Sequence, residues 1–318
     1  MDIKKLITDY RFWFILFLIA SILCVFVFII NNNRASYDFL SPYVSYIDKK
    51  DLLVNFKPLE NKLINKYKKN NDVLVSMYFE YLPTGANFSL NKDEKIWPAS
   101  LIKIPFSMVV MKKIEKGLLD MDQLLIIKDE FKDDDYGSLY LQPSGSRFSV
   151  ENLLRETLIN SDNTAYLTLI NKVSNKEVEE VFDHLGLNEE FIHMMKTFEE
   201  EGASDISITA KRYSVFFRSL YNSTYLSPYY SNLFLNILNG AECNFLCSSI
   251  PSEINVSHKF GVHDEKMISA SSGVFYLPGR PYLLTVFIRN NNNLSEKKIQ
   301  GIFDDISKSI FDYVYYAR

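Results

Sequence analysis

Strand-like segments stand near both ends of this chain, and a long helical block separates them. A sheet made from those segments has to close across the insertion, which leaves few architectures. NDVLVSMYFEYL (71–82) is rich in Val, Tyr and Phe and reads as a strand; PTG turns it and ANFSLNKDEKIW returns. Far downstream, NVSHKFGVH forms a short strand, and SSGVFYLP and PYLLTVFIR flank a PGR turn as a hairpin. Between them, residues from about 118 to 250 read mostly as helix. Ser149 caps VENLLRETLI, Gly186 stops EVEEVFDHLG, and Thr209 caps AKRYSVFFRSLYN. Helices over 55–70 and from Ser295 to the C-terminus cover one face of the sheet. The expectation is an α/β (α+β) domain over 53–318: one antiparallel sheet flanked by helices, with an all-helical lobe at about 118–250.

Ahead of that domain, FWFILFLIASILCVFVFII (Phe12–Ile30) carries no charge. An uncharged apolar run of roughly 20 residues is long enough for a transmembrane helix. Lys4, Lys5 and Arg11 precede it, so the positive-inside rule leaves the N-terminus in the cytoplasm. A cleaved signal peptide is the alternative, but no A-x-A site follows Ile30. The expectation is therefore a single-pass cell-membrane protein. It has a cytoplasmic tail (1–11), an anchor (12–31), a polar stalk (32–52) and an extracytoplasmic domain. A net charge of only −4 disfavours nucleic acid as a partner. Cys24 lies in the apolar run, while Cys243 and Cys247 stand four apart in AECNFLCSS. They fit a small-loop disulfide in an oxidising compartment, or two unpaired thiols. No His or Cys spacing points to a metal.

The candidate chemistry begins at WPASLIKIPFSMVVM (97–111). Ser100 and Lys103 sit one helical turn apart, on one face. Leu101, Ile102, Ile104 and Phe106 surround them with hydrocarbon. Burial makes a lysine costly to charge, and a neutral amine beside a hydroxyl can act as its base. The bland reading is a serine that starts the helix and a lysine that snorkels to water. Ser295 and Lys298 have the same spacing in LSEKKIQ, but their surroundings are polar and they carry no catalytic weight. Pro105 early in the helix implies a tight first turn or a kink.

Two further elements follow. Ser161-Asp162-Asn163 lies between two helices, where such residues also serve as caps. His258-Lys259-Phe260-Gly261 lies on the strand after the helical block; a strand glycine permits close backbone approach, and a strand lysine can equally be an edge charge. Together and in this order, S-x-x-K, S-D-N and K-x-G resemble the serine penicillin-recognising hydrolases. That group holds class A β-lactamases and the D-alanyl-D-alanine peptidases known as penicillin-binding proteins. The resemblance spans about residues 55 to 318. It implies a five-stranded antiparallel sheet with a helical lobe and no cofactor. It further implies that Ser100 is an acylated nucleophile, that Lys103 helps take its proton, and that Ser161 relays a proton to the leaving nitrogen. By the same likeness Asn163 holds Lys103 and the substrate's acyl-amide side, and Lys259 supports the relay and attracts a carboxylate. The backbone N–H groups of Ser100 and Val262 form the oxyanion hole, with Gly261 and Phe260 along the substrate. A β-lactam or a cell-wall peptide is the implied substrate.

Two departures stand out. Phe260 occupies the position where the family has threonine or serine, whose hydroxyl bonds a substrate carboxylate. Class A β-lactamases activate the deacylating water with a glutamate in an E-x-x-x-N pattern. Here MKTFEEEGASD offers Glu199, Glu200 and Glu201, with no asparagine four residues beyond any of them. The alternatives are a non-catalytic cell-wall-binding protein of the same fold, and a serine hydrolase of another ester or amide.

Overall fold

The computed structural model describes residues 10–32, 54–68, 70–201 and 207–316. Tyr10–Asn32 forms helix α1, which falls in a compact unit of its own, residues 1–49; residues 50–318 form the second unit. The stalk expected over 32–52 lies almost wholly outside the described residues. The expectation of a membrane anchor is corrected. Among the described residues no helix is long and apolar enough to cross a membrane.

In the second unit, α2 (Lys57–Tyr67) leads into β1 (Val73–Tyr81) and β2 (Ala86–Leu90). After the helical lobe come β5 (Val256–His263), β6 (Ile268–Phe275) and β7 (Tyr282–Asn290). These five strands make one sheet in the order β2-β1-β7-β6-β5. The β1–β7 pairing, Val73 opposite Asn290 through Tyr81 opposite Tyr282, joins the two ends of the domain antiparallel. The sheet thus closes across the insertion and leaves β5 at an edge.

Strand periodicity divides the core into two layers. Val75, Met77, Phe79 and Tyr81 point to one face, where they meet Leu63 of α2 and Phe303, Ile306 and Ile310 of the last helix, α10 (Glu296–Tyr316). Tyr78, Leu283 and Phe287 point to the other, into the lobe.

The lobe holds α3 (Lys103–Glu115), α4 (Val150–Leu158), α5 (Asn163–Ile170), α6 (Asn175–His184), α7 (Asn188–Glu201), α8 (Ala210–Asn222) and α9 (Pro228–Asn239). The expected caps are in place: Ser149 Oγ accepts from Asn152 N at 3.1 Å and Thr209 Oγ1 from Arg212 N at 3.2 Å. Three local features complete the lobe. Leu118 lies beyond the helix end at Glu115, after Gly117 turns the chain at φ +67°, and is 64% exposed. A two-stranded ribbon, β3 (Leu124–Ile126) with β4 (Arg147–Ser149), sits within the helical block. The segment carrying Glu199, Glu200 and Glu201 is the end of α7.

Candidate active site

Ser100 lies on a 3-10 turn, Ala99–Ile102, that runs directly into α3. The turn is held from two sides. Tyr213 Oη of α8 donates to Leu101 O at 2.8 Å, and Ile96 pairs with Ile208 through two backbone hydrogen bonds of 3.1 Å. Ala99 adopts φ +50°, a left-handed conformation that costs an alanine about 1–2 kcal/mol. Ser161 does the same at φ +57°. Strain of this kind persists only where surrounding structure enforces it, and it concentrates at working sites.

Lys103 does not snorkel. It is 2% exposed. Its Nζ donates to Ser161 O at 2.5 Å, to Asn163 Oδ1 at 2.5 Å and, more weakly, to Ser161 Oγ at 3.3 Å. It also lies 5.7 Å from the centre of the Tyr166 ring. Burial lowers its pKa from 10.5 to about 7, against the opposing pull of the Asp162 and Asp133 charges. The amine can therefore exchange a proton near neutral pH, as a general base must. The serine does not cap the helix either: Pro98 is the residue that precedes the turn.

Asp162 builds the frame around this lysine. It caps α5 by accepting from Ala165 N (2.8 Å), and its other oxygen accepts from Ser138 N (2.7 Å) and Leu139 N (2.8 Å). Gly137 makes that closure possible, because a Cβ there would fall 2.2 Å from Asp162 Oδ2. Gly137→Ala should lower thermal stability by about 1–3 kcal/mol, read as a drop in unfolding temperature.

The closed loop also delivers Asp133, whose Oδ1 accepts from Asn163 Nδ2 at 2.8 Å. Asn163 thus has one end of its amide on Asp133 and the other on Lys103, which fixes its orientation. Sequence reading passed over Asp133 because KDEFKDDDYG looks like a solvated acidic run; the glycine after it is the only local sign of a tight closure. Asp133→Asn keeps an acceptor for Asn163 and removes a charge that raises the Lys103 pKa. The acid limb of any Lys103-dependent rate should move to lower pH, by about one unit, in a pH–rate profile.

From the sheet, β5 supplies Lys259, Phe260, Gly261 and Val262. A Cβ on Gly261 would lie 2.6 Å from Ser100 N and 3.1 Å from Ala99 Cβ. The edge strand touches the backbone of the serine turn, and only glycine allows it. Lys259 is 1% exposed, and its pKa falls well below the usual value through burial and the nearby Lys103 charge. The two amines therefore resist carrying charge together.

Ser100, Lys103, Ser161, Asn163, Lys259 and Gly261 are accordingly brought to one place, with Phe260 and Val262 beside them. Glu199, Glu200 and Glu201 are not shown to join them, since their side chains lie outside the described residues. Cys243 and Cys247 form a disulfide, which settles the open thiol reading. A cavity of about 920 Å³ between α2 and α10 contains none of these groups, and part of its charge is paired, as in Lys308–Asp312 at 2.9 Å.

This architecture is that of β-lactamases and related penicillin-binding proteins. PBP-A superimposes with a TM-score of 0.71 at 18% identity, over 81% of this chain and 96% of that one. A β-lactamase from Sphaerobacter thermophilus DSM 20745 gives 0.71 at 18%, over 82% and 98%. One from Chitinophaga pinensis DSM 2588 gives 0.69 at 21%, over 81% and 98%. A PBP-A mutant solved as an acyl-enzyme complex with penicillin G gives 0.67 at 18%, over 80% and 97%. No curated protein matches by sequence. The model of the Beta-lactamase enzyme family matches residues 58–314, so the chain belongs to that family.

Proposed function

We propose that this chain is a serine hydrolase that works through an acyl-serine intermediate on amide bonds of the β-lactam or D-Ala-D-Ala type. The observation that carries the reading is Lys103, a buried amine with a pKa near 7, one turn from Ser100. In this reading neutral Lys103 accepts the Ser100 Oγ proton as the oxygen bonds to the substrate carbonyl carbon. The carbonyl oxygen takes up negative charge and is met by the N–H groups of Ser100 and Val262. As the C–N bond breaks, Ser161 passes a proton to the departing nitrogen, with Lys259 supporting its hydroxyl. Asn163 holds Lys103 in place, and water later releases the acyl group. The penicillin G acyl-enzyme of the PBP-A mutant is consistent with this chemistry on the shared fold.

Intact-protein mass spectrometry tests it. The full chain is incubated with a β-lactam or with a phenylacetyl thioester and followed over time. The expected result is a covalent adduct in the parent protein and none in Ser100→Ala. A folded protein that takes up no acyl group from either reagent would favour a non-catalytic binding protein.

A further inference from the structure

The residues around Phe260 do more than omit a hydroxyl. The Phe260 ring is 8% exposed and packs against Phe245, with ring centres 5.3 Å apart. Phe245 in turn meets Phe303 at 4.9 Å, and Tyr136 stands edge-on to Phe260 at 6.4 Å. The disulfide loop Cys243–Cys247 carries Phe245 into this wall. Lys259, the cation nearest the wall, is turned inward: its Nζ donates to Phe260 O at 2.9 Å and lies 4.8 Å from the Phe260 ring centre.

From Phe260 and Val262 a groove of about 900 Å³ runs past His263 and Met267 towards Asn290 and Asn293. Lys297 is the one lysine or arginine in its described lining, and Asp264 and Glu296 line it too. Tyr136 of the lining follows Asp133, Asp134 and Asp135 directly in the chain, and Asp133 is held on Asn163. Burial raises the pKa of the Tyr136 phenol, and the Glu242 charge nearby adds to it. A free carboxylate entering here would meet an aromatic wall and acidic neighbours. It would lose its hydration with Lys297 alone to set against Asp264 and Glu296.

We propose that the groove beside Phe260 is the leaving-group subsite, and that it takes acyl donors whose leaving group is uncharged and aromatic rather than one ending in a carboxylate. This rests on the acyl-serine step of the reading above and narrows its substrates: β-lactam and D-Ala-D-Ala donors carry a carboxylate on the leaving side and should react slowly. The reaction is simple transfer. Ser100 Oγ bonds to the acyl carbon, the bond from that carbon to the leaving heteroatom breaks, and the serine proton ends on the leaving group. Water then returns the free acid and the serine hydroxyl.

The test compares two thioesters with the same phenylacetyl group, one leaving as benzyl thiol and the other as thioglycolate. Both give the same adduct mass on Ser100, so their labelling rates compare directly. The full chain should be acylated at least about 10-fold faster by the benzyl thioester. Phe260→Thr should reduce that ratio several-fold, and Phe245→Leu, which leaves β5 untouched, should reduce it as well. Because the readout is a ratio, a general loss of activity does not move it. Equal rates, or a faster thioglycolate ester, would overturn the groove assignment while leaving the acyl-serine reading intact. A ratio unchanged in a folded Phe260→Thr or Phe245→Leu protein would overturn it too. No Ser100 adduct from either ester would remove both.

Discussion

Lys103→Met should lower the rate of Ser100 acylation by about 10²- to 10⁴-fold, the range over which a positioned general base contributes. Methionine has nearly the same length and fills the same space, so packing around Ile104 and Met108 should survive. What disappears is the proton acceptor and the donor to Ser161 O and Asn163 Oδ1. Stability supplies an independent check with a definite sign. The Lys103 pKa is about 7 in the folded chain and ordinary, near 10.5, in the unfolded one. Below pH 7 both states hold the proton and the folded state bears the full cost of burying it. Between about 7 and 10.5 the unfolded state binds more protons, so stability rises with pH. The parent protein should therefore gain stability relative to Lys103→Met as the pH is raised from 7 towards 10, measured by denaturant unfolding. A difference that stayed flat would mean that Lys103 titrates normally.

Gly261→Ala should cost about 10²- to 10³-fold in acylation, the effect of losing one aligned oxyanion donor. Alanine is an ordinary strand residue, so the penalty is local. Its methyl would fall 2.6 Å from Ser100 N, and either β5 or the serine turn has to move. In our account the N–H groups of Ser100 and Val262 converge on one oxygen, and that movement separates them. The turn is fastened by Tyr213 and Ile208, so β5, an edge strand with a partner on one side only, should yield. Single-turnover acylation by a thioester reads the loss, and a thermal melt should show that the fold persists. Unchanged acylation in this variant would mean that the contact between β5 and Ser100 is not part of the oxyanion site.

Much of this could be read from the chain because the signals are local. Richness in Val, Tyr and Phe in VLVSMYFEY and the PGR turn beside YLLTVFIRN identified strands, and caps at Ser149 and Thr209 placed helices. The apolar setting of Lys103 already implied a low pKa. What escaped reading depends on contacts between distant segments. Asp133 matters only because Gly137 lets its loop close on Asp162. Phe245 reaches Phe260 from a disulfide loop outside the strand. Left-handed backbone at Ala99 and Ser161 has no signature in residue types that rarely adopt it. The apolar run after Phe12, with its flanking Lys4, Lys5 and Arg11, was an equally local signal and misled: among the described residues no helix is long and apolar enough to cross a membrane.

The central claim is that a buried, neutral Lys103 activates Ser100. The pH dependence of Ser100 acylation, measured in single turnover with the benzyl thioester between pH 5 and 9, tests it most directly. The account predicts a rate that rises with pH and levels off above an apparent pKa of about 7, with that limb absent in Lys103→Met. A rate independent of pH across the range, or a limb that persists without Lys103, would contradict it.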